Sequence, residues 1–146
     1  MQDSELSIRE SVRQTLADYT AATDRFDLSA LAGCFAPDGV LEFTGADRPL
    51  VGPAEIESGL RAAMSGPREP GRRTPTHVRH HVSSVRFTVV GAARVEVSSY
   101  FAVHTDIGLD HWGRYRDVMV AQGQRWLFAH RKISVDGFSP GSLMAD

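Results

Sequence analysis

Apolar side chains at helical spacing mark the N-terminal part of the chain. Between residues 7 and 26 they recur every three or four positions, at Ile8, Val12, Leu16 and Tyr19. This spacing predicts an amphipathic helix, and Ser7 followed by Glu10 is a capping-box pattern at its start. On a helical projection Asp24 lies at the border of the apolar face, where its carboxylate either reaches over the core or turns to water.

Two shorter helices and a short strand are predicted next. A helix over residues 27–35, with an aspartate as its N-cap candidate, is stopped by Pro37 and Gly39. Residues 40–43 are a strand candidate. A third helix begins at Gly52-Pro53, with proline at its first position, and its apolar side chains are four residues apart: Ile56, Leu60 and Met64.

The segment after this helix is predicted to be a loop. Three prolines and two glycines interrupt either periodicity between residues 65 and 75, and residues 65–78 are a candidate lid. The three arginines of the loop are typical of a solvated basic segment, with attraction of an anionic substrate as the alternative: Arg68, Arg72 and Arg73.

The second half of the chain consists of β-rich runs. Four strands are predicted, separated by short hairpin candidates at residues 91–92 and 122–124: His80 to Val90, Arg94 to Thr105, His111 to Ala121 and Arg125 to Val135. Helices followed by an antiparallel meander predict an α+β fold, a curved, mainly antiparallel sheet wrapped around the long N-terminal helix. The concave side of such a sheet would leave a pocket.

Composition narrows the class of protein. The 146 residues fit one domain, residues 1–146. The net charge of −2 argues against a general nucleic-acid surface, and no apolar stretch approaches the ~20 residues of a membrane span. The polar, acidic start does not resemble a secretory segment, which favours a cytoplasmic location. Cys34 is the only cysteine, so neither an intrachain disulfide nor a cysteine-based zinc cluster is expected.

Asp24 and His81 are the candidate chemical pair. The predicted wrapping brings the end of the first helix near the strand that begins around residue 80, where a carboxylate can orient an imidazole for proton transfer. An acid/base enzyme without a cofactor would follow. Taken singly, each residue is more often a solvated or satisfied polar group, and the approach of the Asp24 carboxylate to the His81 ring discriminates the two interpretations. His77 and His81 invite a metal site, but no carboxylate ligand lies close by, so none is expected.

Several segments resemble a known family. They are Ala22–Leu31, Phe35–Val40, His80–Arg86, Gly113–Asp117 and Arg125–Phe128. Together they resemble SnoaL-like members of the nuclear transport factor 2 (NTF2-like) superfamily, and within it the branch of scytalone dehydratase and hexachlorocyclohexane dehydrochlorinase. The resemblance spans nearly the whole chain and implies a cone-shaped α+β barrel.

The same resemblance implies roles for individual residues. Asp24 and His81 match the acid/base pair of the family, and His104 matches its second histidine. Tyr115 lies near a position where the dehydratase has an asparagine, and Phe43 stands where it has a tyrosine. The expected substrate contacts are Tyr19, Phe43, His104 and Tyr115. Of these, Tyr19, Tyr115 or His104 would donate a hydrogen bond to an enolate oxygen. Thr23 also replaces a tyrosine, so scytalone itself is not assigned as the substrate.

The resulting hypothesis is a cofactor-independent lyase that eliminates water from a small cyclic or polyketide-like carbonyl compound. An isomerase or polyketide cyclase with the same pair is the first alternative. A non-catalytic ligand-binding or assembly subunit, like the small subunit of ring-hydroxylating dioxygenases, is the second. The resemblance also implies a homo-oligomer, a dimer or trimer, in which residues 137–141 close the pocket. The expected partner is a hydrophobic small molecule, not nucleic acid or a membrane.

Overall fold

The computed structural model of the protein describes residues 4–145 as three helices and six strands. The helices are α1 (Glu5–Asp24), α2 (Leu28–Ala32) and α3 (Pro53–Met64). The strands are β1 (Phe35–Phe43), β2 (Leu50–Val51), β3 (Arg79–Val90), β4 (Arg94–Thr105), β5 (Gly108–Gln122) and β6 (Arg125–Phe138). They form one curved sheet in the order β2-β1-β6-β5-β4-β3. None of the described helices is long and apolar enough to cross a membrane.

The long helix starts one turn earlier than its capping-box pattern predicts. Ser4 is the N-cap, and its hydroxyl accepts a hydrogen bond from the Ser7 amide at 3.1 Å. Ser7 therefore lies inside the first turn. The helix ends at Asp24, after which Phe26 adopts a left-handed φ of 56° and turns the chain into α2. This places the Asp24 carboxylate at the C-terminal end of the helix around which the sheet curves.

The second helix is shorter than predicted, and the first strand is longer. Asp27 caps α2 as expected, accepting from the Ala30 amide at 3.0 Å, but the helix ends at Ala32 and β1 begins at Phe35. Pro37 and Gly39 lie inside β1, at an irregularity in its pairing with β6. A Cβ on Gly39 would lie 2.6 Å from the Phe128 carbonyl oxygen, so the close strand approach requires glycine there.

The predicted α+β architecture is confirmed. Strands β3 to β6 form an antiparallel meander, and β4 has the predicted bounds. β1 pairs parallel to β6, which makes the sheet mixed, and the two-residue β2 was not predicted. β2 is too short to carry a periodic signal, and the parallel pairing of β1 depends on contacts about ninety residues away along the chain.

The core lies between α1 and the face of the sheet that turns toward it, here called the inner face. Apolar residues from α1 and from alternate positions of the strands are buried together there, including Val12, Leu16, Tyr19, Val97, Phe101, Tyr115, Met119 and Phe128. The opposite, outer face carries exposed Tyr100 and partly exposed Trp112. Along each strand, the face toward which a side chain points decides whether it can join a site beside α1.

Candidate active site

Asp24 forms a hydrogen-bonded pair with His80. The Asp24 Oδ1 atom lies 2.7 Å from His80 Nδ1, and both carboxylate oxygens accept the His80 backbone N–H at 3.2 Å. The two side chains are 14% and 11% exposed, so the pair is largely desolvated yet reachable from solvent. A carboxylate bound to Nδ1 orients the imidazole with Nε2 on the far side of the ring.

His81, which was predicted as the partner of Asp24, does not make this contact. Successive side chains of a strand point to opposite faces, so His80 and Val82 face inward while His81 faces outward. His81 instead packs edge-on against His104, with ring centroids 4.8 Å apart. His104 is therefore also outside the inner face, between the buried neighbours Val103 and Thr105. The period-2 relation of His80 to apolar Val82 was the sequence signal that pointed to His80.

Burial affects the protonation of His80. Desolvation lowers its pKa below the ordinary 6.5, although the hydrogen bond and the charge of Asp24 oppose this shift. His80 is therefore neutral near pH 7. Because the Asp24 carboxylate can only accept a hydrogen bond, the Nδ1 atom carries the proton and Nε2 keeps its lone pair. A neutral imidazole with a free Nε2 has the form required of a general base.

Two of the predicted substrate contacts lie around a buried arginine: Tyr115 on the inner face and Tyr19 on the side of α1 that packs against it. The Arg131 guanidinium carbon lies 3.5 Å from the Tyr115 ring centroid and 4.2 Å from that of Tyr19. Arg131 also donates to Asp117, with Nε 2.9 Å from Oδ1, and both side chains are fully buried. This ion pair was not predicted from the sequence, although Asp117 alternates with Tyr115 and Met119 along β5.

The charges of this cluster are set by burial and by the pairing. Burial raises the pKa of Asp117 to about 6, against the attraction of Arg131. Desolvation acts to lower the pKa of Arg131, but Asp117 and the two tyrosines raise it overall. Burial also raises the pKa values of Tyr19 and Tyr115. Both phenols are therefore protonated at neutral pH and can serve only as neutral donors or acceptors.

The structure contains a second carboxylate–imidazole pair, Asp110 and His111, that was not predicted from the sequence. Asp110 Oδ1 lies 2.8 Å from His111 Nδ1, and both side chains are buried. Between β4 and β5 the register passes from Val103–His111 to His104–Leu109, so Asp110 is the extra residue of a bulge. The bulge allows two consecutive residues to be buried, which simple alternation along the strand does not predict.

A groove of about 440 Å³ runs between α1 and β3 and reaches Asp24. Its walls include Ala17 and Ala21 of the helix and Val82 and Val85 of the strand. Small helix residues leave this space open, and its size falls within the range of small-molecule sites, about 300–1,000 Å³. A larger cavity of about 690 Å³ lies between α2 and α3 and includes neither member of the Asp24–His80 pair.

The remaining predicted site residues occupy other places. Phe43 lies at the end of β1, 36% exposed and outside the buried core cluster, so its contact with a substrate stays a prediction. Thr23 faces its own helix, donating to the Tyr19 carbonyl at 2.8 Å. Among residues 4–145, no three His, Cys, Asp or Glu side chains are grouped to hold a metal ion.

The loop and the C-terminal tail are tied together. Arg68 of the predicted lid donates to the carbonyls of Leu143 and Arg73, and Thr76 donates twice to Asp106. Leu143 in turn donates its backbone N–H to Asp110 at 2.8 Å. The tail therefore connects the loop to the second carboxylate–imidazole pair, and whether either segment opens as a lid stays a prediction.

Comparison with protein families gives one match across most of the chain. Residues 4–132 match the SnoaL-like domain family. None of the curated proteins compared with the chain matches it.

Solved structures share the fold at low sequence identity. A protein from Novosphingobium aromaticivorans, provisionally assigned as a scytalone dehydratase, is 16% identical, with 90% of this chain and 85% of that chain covered and a TM-score of 0.73. ActVI-ORFA from Streptomyces coelicolor is 18% identical (88% and 96% covered, TM-score 0.73). A Catenulispora acidiphila protein in complex with S-DNPA is 24% identical (90% and 95% covered, TM-score 0.73). These likenesses show the NTF2-like cone fold.

Proposed function

Because the chain belongs to the SnoaL-like family, we propose that it is a cofactor-independent acid/base enzyme whose proton-transfer pair is Asp24 and His80. Members of this family often act as cyclases, dehydratases or isomerases. The proposed reaction is elimination of water from a small cyclic or polyketide-like carbonyl compound. One observation carries the proposal: the 2.7 Å contact that leaves a neutral, partly accessible imidazole with its Nε2 atom free.

The proposed mechanism begins with proton removal. The lone pair on His80 Nε2 takes a proton from the carbon next to the substrate carbonyl, and the C–H electrons move into the enolate. The Asp24 carboxylate stabilises the imidazolium that forms, because its charge and its hydrogen bond to Nδ1 both favour the protonated ring. The enolate then reforms the carbonyl and expels the hydroxyl on the next carbon. This hydroxyl takes a proton from an acid in the site and leaves as water, and the proton gained by His80 returns to solvent.

The enolate oxygen needs a hydrogen-bond donor. Tyr19 of α1 and Tyr115 of the inner face are the candidates, and their raised pKa values keep both hydroxyls protonated. The positive charge of Arg131, which lies against both rings, favours negative charge on an enolate oxygen that accepts a hydrogen bond from either hydroxyl. Preorganised donors of this kind contribute roughly 3 kcal/mol to transition-state stabilisation. His104 lies on the outer face and is therefore not proposed for this role.

An isomerase or cyclase is the alternative supported by the same contact. A substrate without a leaving hydroxyl would be protonated again at another carbon, or its enolate would attack a second carbonyl. The non-catalytic alternative requires no desolvated, oriented imidazole, and the Asp24–His80 geometry therefore favours catalysis. The homo-oligomer, the cytoplasmic location and the single-domain extent of the chain stay predictions.

The proposal can be tested by measuring proton removal from carbon in a compound that has no leaving group. Exchange of the C2 hydrogens of 1-tetralone in D₂O, followed by NMR, reports general-base activity without requiring the natural substrate. We expect His80→Ala to lower the enzyme-catalysed rate by about 10²- to 10⁴-fold, and Asp24→Asn to lower it less. Because burial lowers the pKa of His80, the acid limb of the wild-type rate profile should lie below the ordinary histidine value of about 6.5.

The chain contains a matched control for this experiment. His81→Ala removes the same side chain one position away on the same strand, but from the outer face. It should keep the exchange rate within about twofold of wild type, since the change does not touch the proposed base. Full exchange activity in His80→Ala, or equal losses in the two variants, would overturn the proposal.

A further inference from the structure

His111 is a second imidazole whose tautomer is held by a carboxylate. Asp110 accepts four hydrogen bonds: from His111 Nδ1 at 2.8 Å, Ser142 Oγ at 2.6 Å, Thr105 Oγ1 at 2.9 Å and the Leu143 amide at 2.8 Å. A carboxyl group with four donors around it must be ionised to accept them all. It therefore fixes the His111 proton on Nδ1, as Asp24 does for His80, and leaves Nε2 on the far side of the ring.

The sheet places the two histidines in one row. His80 of β3 is opposite Val103 of β4, and Val103 is opposite His111 of β5. Neighbouring strands lie about 4.8 Å apart, so the Cα atoms of the two histidines are roughly 10 Å apart across the row. Val103, the middle residue of this row, is fully buried on the inner face. Both imidazoles therefore lie on the inner face, one on either side of Val103.

Phe101 connects the two rings. Its centroid lies 6.4 Å from that of His80 and 6.2 Å from that of His111. Gly113 lies opposite Phe101 on β5, and a Cβ there would come within 2.7 Å of the Phe101 ring. The missing side chain at Gly113 thus lets the phenylalanine ring lie flat on Tyr115, with centroids 4.6 Å apart, as an apolar floor between the histidines.

We infer that His111 is a second proton-transfer residue that works opposite His80. The inference rests on the proposed function and deepens it. His80 would take the proton from carbon, while a protonated His111 Nε2 would give its proton to the departing hydroxyl. The C–O electron pair leaves with the oxygen, the new C=C bond takes the electrons of the broken C–H bond, and the product is water. Proton exchange with solvent then completes the cycle: His80 loses the proton that it took from carbon, and His111 regains the proton that it gave to oxygen.

The separation of the histidines fits this division of work. Contacts of about 3 Å on each side, to the reacting carbon and to the leaving oxygen, span on the order of 8 Å with the bonds between them. The roughly 10 Å between the Cα atoms of the two histidines is of the same order as that span. The geometry points to β-hydroxy carbonyl compounds with a flat ring system that rests on Phe101. A single histidine would instead have to reach both atoms from one side.

The test separates proton removal from loss of water. The probes are 1-tetralone, for C2 exchange in D₂O, and 3-hydroxy-1-tetralone, whose elimination of water gives fluorescent 1-naphthol. His111→Asn keeps an N–H that can donate to Asp110 and removes Nε2, so the tail anchored on Asp110 is retained. We expect this variant to lower dehydration by about 100-fold or more, with C2 exchange within about twofold of wild type.

The control variant and the results that would overturn the role of His111 differ from those that test the proposed function. His104→Asn changes a histidine of the outer face on β4 and should alter neither rate by more than about twofold. Wild-type dehydration in His111→Asn would overturn the role of His111. Equal loss of exchange and dehydration in that variant would also overturn it, because it would indicate a structural effect. Retained exchange in His80→Ala would overturn the proposed function instead.

Discussion

Two arginine–aspartate pairs join β5 to β6, one on each face of the sheet. Arg131 and Asp117 on the inner face are completely buried, whereas Arg114 and Asp136 on the outer face are 48% and 40% exposed. The residue types and the two strands are the same, and the shortest N–O distances are similar, 2.9 and 3.1 Å. The face of the strand, rather than the chemical identity of the pair, therefore determines how far the interaction is shielded from water.

The adjacent histidines of β3 repeat this difference. His80 is desolvated and bound by Asp24, while His81 contacts another histidine on the outer face. The carboxylates of Asp24, at the end of α1, and Asp117, on the inner face, are each hydrogen-bonded to a paired side chain, because an unpaired charge away from water is costly. Outer-face groups can exchange their partners for water. Substitutions on the inner face should therefore have large effects, and their outer-face counterparts should have small ones.

Removal of one buried ion-pair member should have the largest effect on stability. Asp117→Ala leaves the Arg131 guanidinium charged and buried without its counterion, and should lower the free energy of unfolding by about 3–5 kcal/mol. Asp136→Ala should lower it by at most about 1 kcal/mol, because water replaces the lost partner. Urea denaturation of both variants measures the difference, and equal losses would contradict the contrast between the faces.

A methyl group at the inner-face glycine should come next. In Gly113→Ala the new Cβ would collide with the Ser134 carbonyl oxygen and lie 2.7 Å from the Phe101 ring, so the strand pairing must shift. We expect a loss of up to about 3 kcal/mol. Gly137→Ala meets the Trp112 ring at 2.6 Å, but that ring is partly exposed and can move. Its cost should stay below about 1 kcal/mol, and thermal unfolding of both variants compares them.

The buried Asp110 carboxylate should produce a smaller, pH-dependent effect. Burial acts to raise its pKa, but the hydrogen bonds from Ser142, His111, Leu143 and Thr105 lower it overall. A lowered carboxyl pKa stabilises the fold above the unfolded value of about 3.9, and this stabilisation is lost as the pH falls through the folded pKa. Asp110→Asn should therefore cost about 2 kcal/mol near pH 7, with the difference from wild type shrinking below about pH 4.

Denaturation of wild type and Asp110→Asn across this pH range checks the sign. Asp136→Asn is the outer-face control, and its stability difference should be small throughout. A gap between wild type and Asp110→Asn that stays constant from pH 7 to pH 3 would show that the carboxylate charge of Asp110 does not stabilise the fold.

The sequence predicted the large elements well because their periodicity is strong. The helix around Val12 and Leu16 and the four-strand meander are present with bounds close to those expected. Boundaries failed where a distant contact overrode local signals, as at Phe35, which joins β1 beside Phe128 instead of ending a helix. At the candidate site, the structure pairs Asp24 with His80 instead of the predicted His81, one position away. The alternation of His80 with Val82 along the strand is a signal for the inner face, whereas the family resemblance implied His81.

The sequence alone is sufficient to predict the α+β architecture, the long N-terminal helix that carries Asp24, and the histidines near the start of β3. These follow from local periodicity and from end signals that act within a few residues. Tertiary contacts bring His80 to Asp24, bury both Asp110 and His111 at a bulge, and enclose Arg131 among aromatic rings, and local patterns do not predict any of these. Strand faces and bulges depend on register with neighbouring strands, and a one-residue shift in register exchanges the inner and outer faces.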